Sequence, residues 1–256
     1  MSYLELLEKI TADIRIAVSL STILPVGRAT PLDDGEVARA SWALPIAGLL
    51  VGLAGAVAYA MAHRLGLPPE PAAMLAVIAT ILVTGAIHED GLADAADGLG
   101  GGNTRERKLD IMRDSRIGTF GACALIVSIM LRWSALQAIA DSSSVAAAFL
   151  IAHIAARAIM PVFMWLVPPA RADGLSAAAG QPPQQSAMIA AGLGIICLAI
   201  GFGPSKAIVT LILLSIAALL WAFVATRQVG GQTGDILGAL EQTSETIVLL
   251  MAAASA

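Results

Sequence analysis

Long apolar runs separated by short charged segments organise this chain. The runs fall near 42–62, 70–87, 118–140, 145–167, 186–203 and 207–226, each near the ~20 residues that cross a bilayer as a helix. Residues 2–24 read differently. Glu5, Glu8, Lys9, Asp13 and Arg15 come early and apolar residues later, with Pro25 as a stop. That pattern predicts an amphipathic helix lying on the membrane surface or dipping into it, and it leaves no clean apolar core for a cleavable signal peptide. The apolar tail 246–256 is short for a span and reads as the end of a helix beginning near Asp235. The fold class that follows is all-α. It is a polytopic integral membrane helix bundle of about six to seven transmembrane helices plus the N-terminal amphipathic helix, in one membrane-embedded domain over residues 1–256.

Composition agrees. Hydrophobic residues make up 57% of the 256 positions, charged residues 13%, and mean hydropathy is +0.81; a soluble domain carries roughly 25% charged residues. Abundant Ala and few aromatics suit closely packed membrane helices. The net charge of −4 matters less than where the charges lie. With six spans, loops 26–41, 88–117, 168–185 and 227–245 share one side. They hold Arg28, Arg39, Arg105, Arg107, Lys108, Arg113, Arg116, Arg171 and Arg227, against Arg64 and Lys206 on the other. By the positive-inside rule the long loops are expected to face the cytoplasm. Cys123 and Cys197 sit in apolar runs without metal spacing and read as small buried hydrophobes. Arg132 interrupts a run and is expected to snorkel or to mark a misdrawn span. Arg157 lies deeper and is expected to face inward, toward carboxylates or a substrate phosphate.

The chemistry concentrates between Ile87 and Gly121. Asp90, Asp94 and Asp97 stand at i, i+4 and i+7, within one arc of about 60° on a helix. Stacked carboxylates repel one another unless a cation sits between them, and at a membrane span they are expensive enough to read as functional. Magnesium suits such a hard-oxygen set and bridges carboxylates to substrate phosphates. His88 lies roughly 160° from Asp90 on the same helix, so it and Glu89 point elsewhere unless the backbone breaks; His88 is a candidate base. Gly98, Gly100, Gly101, Gly102 and Asn103 could form an anion-binding nest. The cluster Arg105, Arg107, Lys108, Arg113 and Arg116 follows, and Asp110 and Asp114 form a second i, i+4 pair. Carboxylates, arginines and glycines at a membrane mouth point to a metal-bridged phosphoanhydride. An ion transporter also uses membrane carboxylates, but an Arg-rich and Gly-rich loop has no use in a cation path; a non-catalytic scaffold is the third reading.

The segments His88–Gly102 and Asp110–Gly121 resemble the signature of the cobalamin 5′-phosphate synthases, also called adenosylcobinamide-GDP ribazoletransferases. Pro45 and Gly48, Arg157 and Pro161, Ala170-Arg171 with Gly174-Leu175, and the block Gly230–Ala239 followed by Glu241 and Glu245 extend the likeness over the whole chain. Glu89 stands where an apolar residue is usual, Asp110 where glutamate is common, and Ser21–Pro25 lacks the usual Thr-Arg pair. The resemblance implies a Mg²⁺-dependent membrane transferase of the last stage of vitamin B12 assembly. It would join adenosylcobinamide-GDP to α-ribazole or its 5′-phosphate and release GMP, with the lipid bilayer as its setting and no nucleic-acid partner; the oligomeric state is left open. Asp90, Asp94, Asp97 and Asp114 are then the expected metal ligands and, with His88, the catalytic groups. Arg113, Arg116, Gly100, Gly101, Gly102, Asn103, Arg157, Arg171, Asp235, Glu241 and Glu245 are the expected substrate contacts, the last three brought to the same face by parity. Asp94-x2-Asp97-Gly98 and Asp110-x3-Asp114 are also similar to the acidic motif of CDP-alcohol phosphotransferases, with shorter spacing, as shared chemistry.

Overall fold

The computed structural model describes residues 2–27 and 35–254, apart from the side chain of Leu175; Arg28, Asp33 and Asp34 of the expected polar loop lie outside the described residues. The elements are α1 (Tyr3–Ser21), α2 (Glu36–Ala40), a 3₁₀ turn (Ser41–Ala43), α3 (Leu44–Arg64), α4 (Pro69–Thr84), α5 (Ile87–Gly101), α6 (Arg105–Ile111), α7 (Thr119–Ile139), α8 (Ser142–Leu166), α9 (Leu175–Ala179), α10 (Gln184–Gln228) and α11 (Gly234–Ala253). No strand forms among the described residues. Among the described residues, five helices are long and apolar enough to cross a membrane, or six if the bent pair α4–α5 is one span.

The amphipathic start forms α1, opened by a capping box in which Ser2 and Glu5 bond each other's backbone. Its buried Asp13 accepts from Arg39 at 3.0 Å and from Trp42 Nε1 at 2.9 Å, so α1 is tied to the entry of α3. Tyr3, Leu4 and Ile23 stay exposed, as an interfacial helix requires.

One span departs from the sequence expectation, while two others and the tail follow it. The 70–87 run breaks at Gly85 and Ala86, both left-handed with φ of 64° and 59°, and α5 leaves α4 at 89°. The 186–203 and 207–226 runs belong to α10, whose 45 residues would measure about 68 Å if straight. They fold back instead at Gly203 (φ 73°) and Pro204. Ser186 Oγ near one end donates to Arg39 O of α2, and Ala225 and Val229 at the other end share a core cluster with Ala17 of α1, so both ends lie at the α1–α2 face. The tail is no separate segment: positive-φ Gly230 and Gly231 stop α10, Thr233 caps α11, and α11 runs 20 residues to Ala253. Cys123 is exposed rather than buried, on the outward side of α7.

The core has two apolar halves. One gathers Tyr59, Leu136, Val145, Phe149, Leu198 and Leu249; the other gathers Leu44, Met112, Phe163, Val229, Ile236 and Leu240 beneath the α1 face. Small residues set how closely the central helices approach. Gly48, Gly52 and Gly55 lie along one side of α3 against α8. A Cβ on Gly48 would strike the carbonyl of His153, and one on Gly52 would sit 2.8 Å from the carbonyl of Phe149. Tyr59 Oη donates to Ala140 O at 2.7 Å and pins the far end of α3 to the turn between α7 and α8.

Gly52→Ala is expected to lower thermal stability by about 1–3 kcal/mol through overpacking. Gly192→Ala, where a Cβ meets nothing within 4 Å, should raise it by about 0.5–1 kcal/mol through helix propensity. Thermal unfolding of the two variants in matched detergent checks the pair.

Candidate functional site

Helix α5 carries the acidic motif and has two chemically distinct sides. Its whole length is helical through Gly101, so the residues divide as a regular helix divides them. Asp90 is exposed, Asp94 half-buried and Asp97 buried on the side toward the mouth, while His88 and Glu89 turn into the bundle. The glycine run differs from the expected nest. None of Gly98, Gly100, Gly101 or Gly102 has positive φ, so the alternating backbone that a nest needs is not formed there. These glycines admit neighbours instead: a Cβ on Gly98 would lie 2.8 Å from Lys108 O, one on Gly100 2.8 Å from the Phe120 ring, and one on Gly102 2.8 Å from Lys108 N. Asn103 is exposed in the turn that follows.

Five carboxylates meet at this end of the bundle. Asp94 lies within electrostatic reach of Asp90, Asp235, Asp97 and Asp114. Asp235 joins them because α11 touches α5 backbone to backbone: a Cβ on Gly91 would come within 3.2 Å of both Asp235 and Gly238 Cα. Asp97 also caps α7, accepting from Gly118 N at 2.6 Å and Gly121 N at 2.9 Å. Asp114 is gripped by Arg116, with Nη2 to Oδ2 at 2.6 Å and Nε to Oδ1 at 3.0 Å; the side-chain and backbone bonds from Arg116 hold its carboxyl down at about 2.

Two further arginines face the cluster across paired loops. The loop after α8 and the loop before α11 form a short parallel bridge at Pro169 and Gln232, with Ala170 N to Gln232 O at 2.8 Å and Gln232 N to Pro168 O at 2.9 Å. Arg105 locks them, donating to Ala170 O at 2.6 Å and Val229 O at 2.9 Å. This sets Arg171 between Asp173 and Asp235, at 3.9 and 4.0 Å, while Arg113 Nη2 bonds Asp173 at 2.6 Å. Asp235 Oδ2 accepts from Thr233 Oγ1 at 3.1 Å.

Arg157, His88, Glu241 and Glu245 lie elsewhere. They belong to a buried ionic layer between the two apolar halves. Arg157 Nη1 is 2.6 Å from Glu241 Oε1, and His88 Nδ1 is 3.7 Å from Glu241 Oε2. Arg132 Nη1 lies 3.1 Å from Glu89 and 3.3 Å from Glu245. Arg132 is 1% exposed; it does not snorkel, and its span is correctly drawn, because two carboxylates meet it inside. Glu241 and Glu245 are not at the mouth as parity places them, because α11 starts at Gly234 and carries them to its middle. His153 and Glu89 were not among the expected site residues; the legible signal was Arg132 and Arg157, each a lone charge within an apolar run that needs a carboxylate to meet it.

His153, Glu241 and Glu245 bring ligand atoms within 4.8 Å of one another, a grouping that the aspartates do not match among the described residues. Arg132 and Arg157 already match those buried glutamates, however. Asp90, Asp97, Asp114 and Asp235 all act on Asp94, and only Asp114 among these carboxylates is closely paired, with Arg116, so negative charge accumulates at the mouth. That donor set, hard and anionic, fits a divalent cation such as magnesium.

Comparison with known proteins gives a consistent result. The family model "Cobalamin-5-phosphate synthase" matches residues 13–253. A protein of Bradyrhizobium diazoefficiens named adenosylcobinamide-GDP ribazoletransferase is 63% identical over 250 residues, 98% of this chain and 96% of that one. Proteins of the same name from Mesorhizobium japonicum and Azorhizobium caulinodans are 51% and 43% identical, over 84% and 94% of this chain and 83% and 95% of theirs. No solved structure matches.

Arg132→Met is expected to destabilise the folded chain by about 3–5 kcal/mol, since it strands buried carboxylates. Adding Glu245→Gln should restore part of that loss. Thermal unfolding in lipid nanodiscs compares the single and double variants.

Proposed function

The chain belongs to the cobalamin-5-phosphate synthase family, and from that premise we propose that it is an adenosylcobinamide-GDP ribazoletransferase. It joins adenosylcobinamide-GDP to α-ribazole or α-ribazole 5′-phosphate and releases GMP, giving adenosylcobalamin or its 5′-phosphate. The observation that carries this reading is the meeting of Asp90, Asp94, Asp97, Asp114 and Asp235 at one mouth of the bundle, with Arg113, Arg116 and Arg171 beside them.

Asp90, Asp94, Asp97 and Asp114 would hold magnesium. When bound, the ion neutralises the substrate diphosphate and stabilises the charge that builds on departing GMP. The chain supplies the rest. Asp97, fixed by two backbone N–H groups, holds the start of α7 against α5 and so fixes the acidic side. Arg113 and Arg116, by loosening their present carboxylate pairs, and Arg171 provide guanidinium donors for nonbridging phosphate oxygens. A ribose hydroxyl of the acceptor attacks the phosphorus that stays with cobinamide; Asp90, the exposed carboxylate, takes its proton, and GMP leaves with the bridging oxygen.

The arginine-rich loops share the mouth with the acids, so the positive-inside rule puts this face in the cytoplasm of a bacterial inner membrane. An ion pathway is the weaker reading: the carboxylates deep in the bundle are matched by Arg132 and Arg157 and lie between apolar layers.

Asp94→Asn is expected to lower Mg²⁺-dependent GMP release by about 10³-fold, with α-helical content and thermal stability retained. The readout is GMP formed from adenosylcobinamide-GDP and α-ribazole across a Mg²⁺ series. Wild-type turnover by that variant, or turnover independent of Mg²⁺, contradicts the assignment.

A further inference from the structure

Beside the acidic cluster, the loops after α8 and before α11 enclose a narrow cleft lined by Arg171, Asp173, Ser176, Gln232, Thr233 and Gly234. It holds about 10 Å³, room for one oxygen-sized group and not for a ring. Two donors in its wall have no hydrogen-bond partner among the described residues. Gln232 is 0% exposed. Its Oε1 accepts from Ser176 Oγ at 2.7 Å, and its Nε2 is buried without a partner. Arg171 Nη1 is likewise buried and unpartnered. Leaving a buried N–H unmade is unfavourable by about 1–3 kcal/mol, so each of these donors is poised for an acceptor that is not part of the chain.

The surroundings fit an anionic acceptor. The cleft adjoins the N-terminus of α11, a 20-residue helix capped by Thr233, where backbone N–H groups and the helix dipole favour negative charge. The nearby carboxylates are engaged already: Asp173 by Arg113 at 2.6 Å, and Asp235 by Thr233 at 3.1 Å. The bridge between Pro169 and Gln232, clamped by Arg105, holds the two donors in place. Asp235 lies both beside Arg171 and within electrostatic reach of Asp90 and Asp94, so the cleft opens next to the acidic cluster.

We propose that Gln232 Nε2 and Arg171 Nη1 seat a phosphate oxygen of a substrate. This deepens the transferase reading and rests on it for the identity of the substrate. The phosphate is either the diphosphate of adenosylcobinamide-GDP or the monoester of α-ribazole 5′-phosphate. Gln232 thereby becomes a specificity-determining residue of the site.

The first test needs no turnover. Inorganic phosphate is titrated calorimetrically into the full chain in nanodiscs, as wild type, Gln232→Leu and Arg171→Gln. Wild type should bind, and each variant should bind about tenfold more weakly, the effect of losing one hydrogen bond to a charged group. No binding by wild type, or equal binding by all three, overturns the proposal, even if the transferase assignment stands. Loss of thermal stability in Gln232→Leu with phosphate affinity kept by both variants overturns it as well, leaving the amide a structural role. The second test is steady-state kinetics with each acceptor. A KM for adenosylcobinamide-GDP raised about tenfold with either acceptor assigns the cleft to the diphosphate. A KM raised only for α-ribazole 5′-phosphate assigns it to the monoester. Unchanged KM values for all substrates overturn the assignment to this reaction.

Discussion

Arg132 and Arg157 meet Glu89, Glu241 and Glu245 in the middle of the helix bundle, where water is scarce and an unpaired charge is very unfavourable. Four elements contribute: α5, α7, α8 and α11. Each ion pair therefore fixes the rotation and depth of one helix against another, because a helix turned by one residue would leave its charge facing hydrocarbon. Such a layer is a poor source of net stability, since desolvation offsets much of the Coulomb attraction. What it supplies is register. The apolar halves above and below it are rich in Ala and Leu and could pack in more than one way.

Register matters here because α5 has work on both sides. His88 and Glu89 are held inside, and the same helix then presents Asp90, Asp94 and Asp97 toward the mouth. Helical spacing sets the three α5 aspartates on one side, but they repel one another, and nothing local brings Asp235 to them or keeps α5 turned this way. Their convergence is imposed from outside. The Gly91–Gly238 contact draws α11 and Asp235 in, Asp97 is anchored on the start of α7, and the ionic layer stops α5 from turning away. An acidic cluster assembled by such forces is a site that a divalent cation would relax.

The loops follow the same logic at smaller scale. Arg105 reads in the sequence as one more basic residue near a span, and the expectation for it was topological. In the structure its guanidinium bonds two backbone carbonyls from distant loops, which aligns Arg171 and Gln232. Gln232 carries no signal of its own in the sequence. Its amide matters only because the Ser176 hydroxyl occupies one end and nothing occupies the other. The glycine run likewise changes meaning: spacing shows that side chains are absent, but only the packing of Lys108 and Phe120 shows what takes their place.

Much of the architecture was legible in one dimension, because lipid demands runs of apolar residues near 20 long and charge sets their sidedness. The i, i+4, i+7 aspartates also stood out, since helical geometry puts them on one side whatever surrounds them. The family likeness, resting on long contiguous motifs, was readable for the same reason. Partnership was not. Glu241 and Glu245 sit in a stretch that reads as a polar connection, and Arg132 in one that reads as a flawed span. Each is isolated along the chain, and what makes them affordable is a partner on another helix 43 to 113 positions away. Sequence by itself determined the helices, their sides and the acidic motif, all consequences of local periodicity and solvent. Tertiary structure alone decided which charges neutralise one another and which are left to bind, because pairing depends on distance through space and not on separation along the chain.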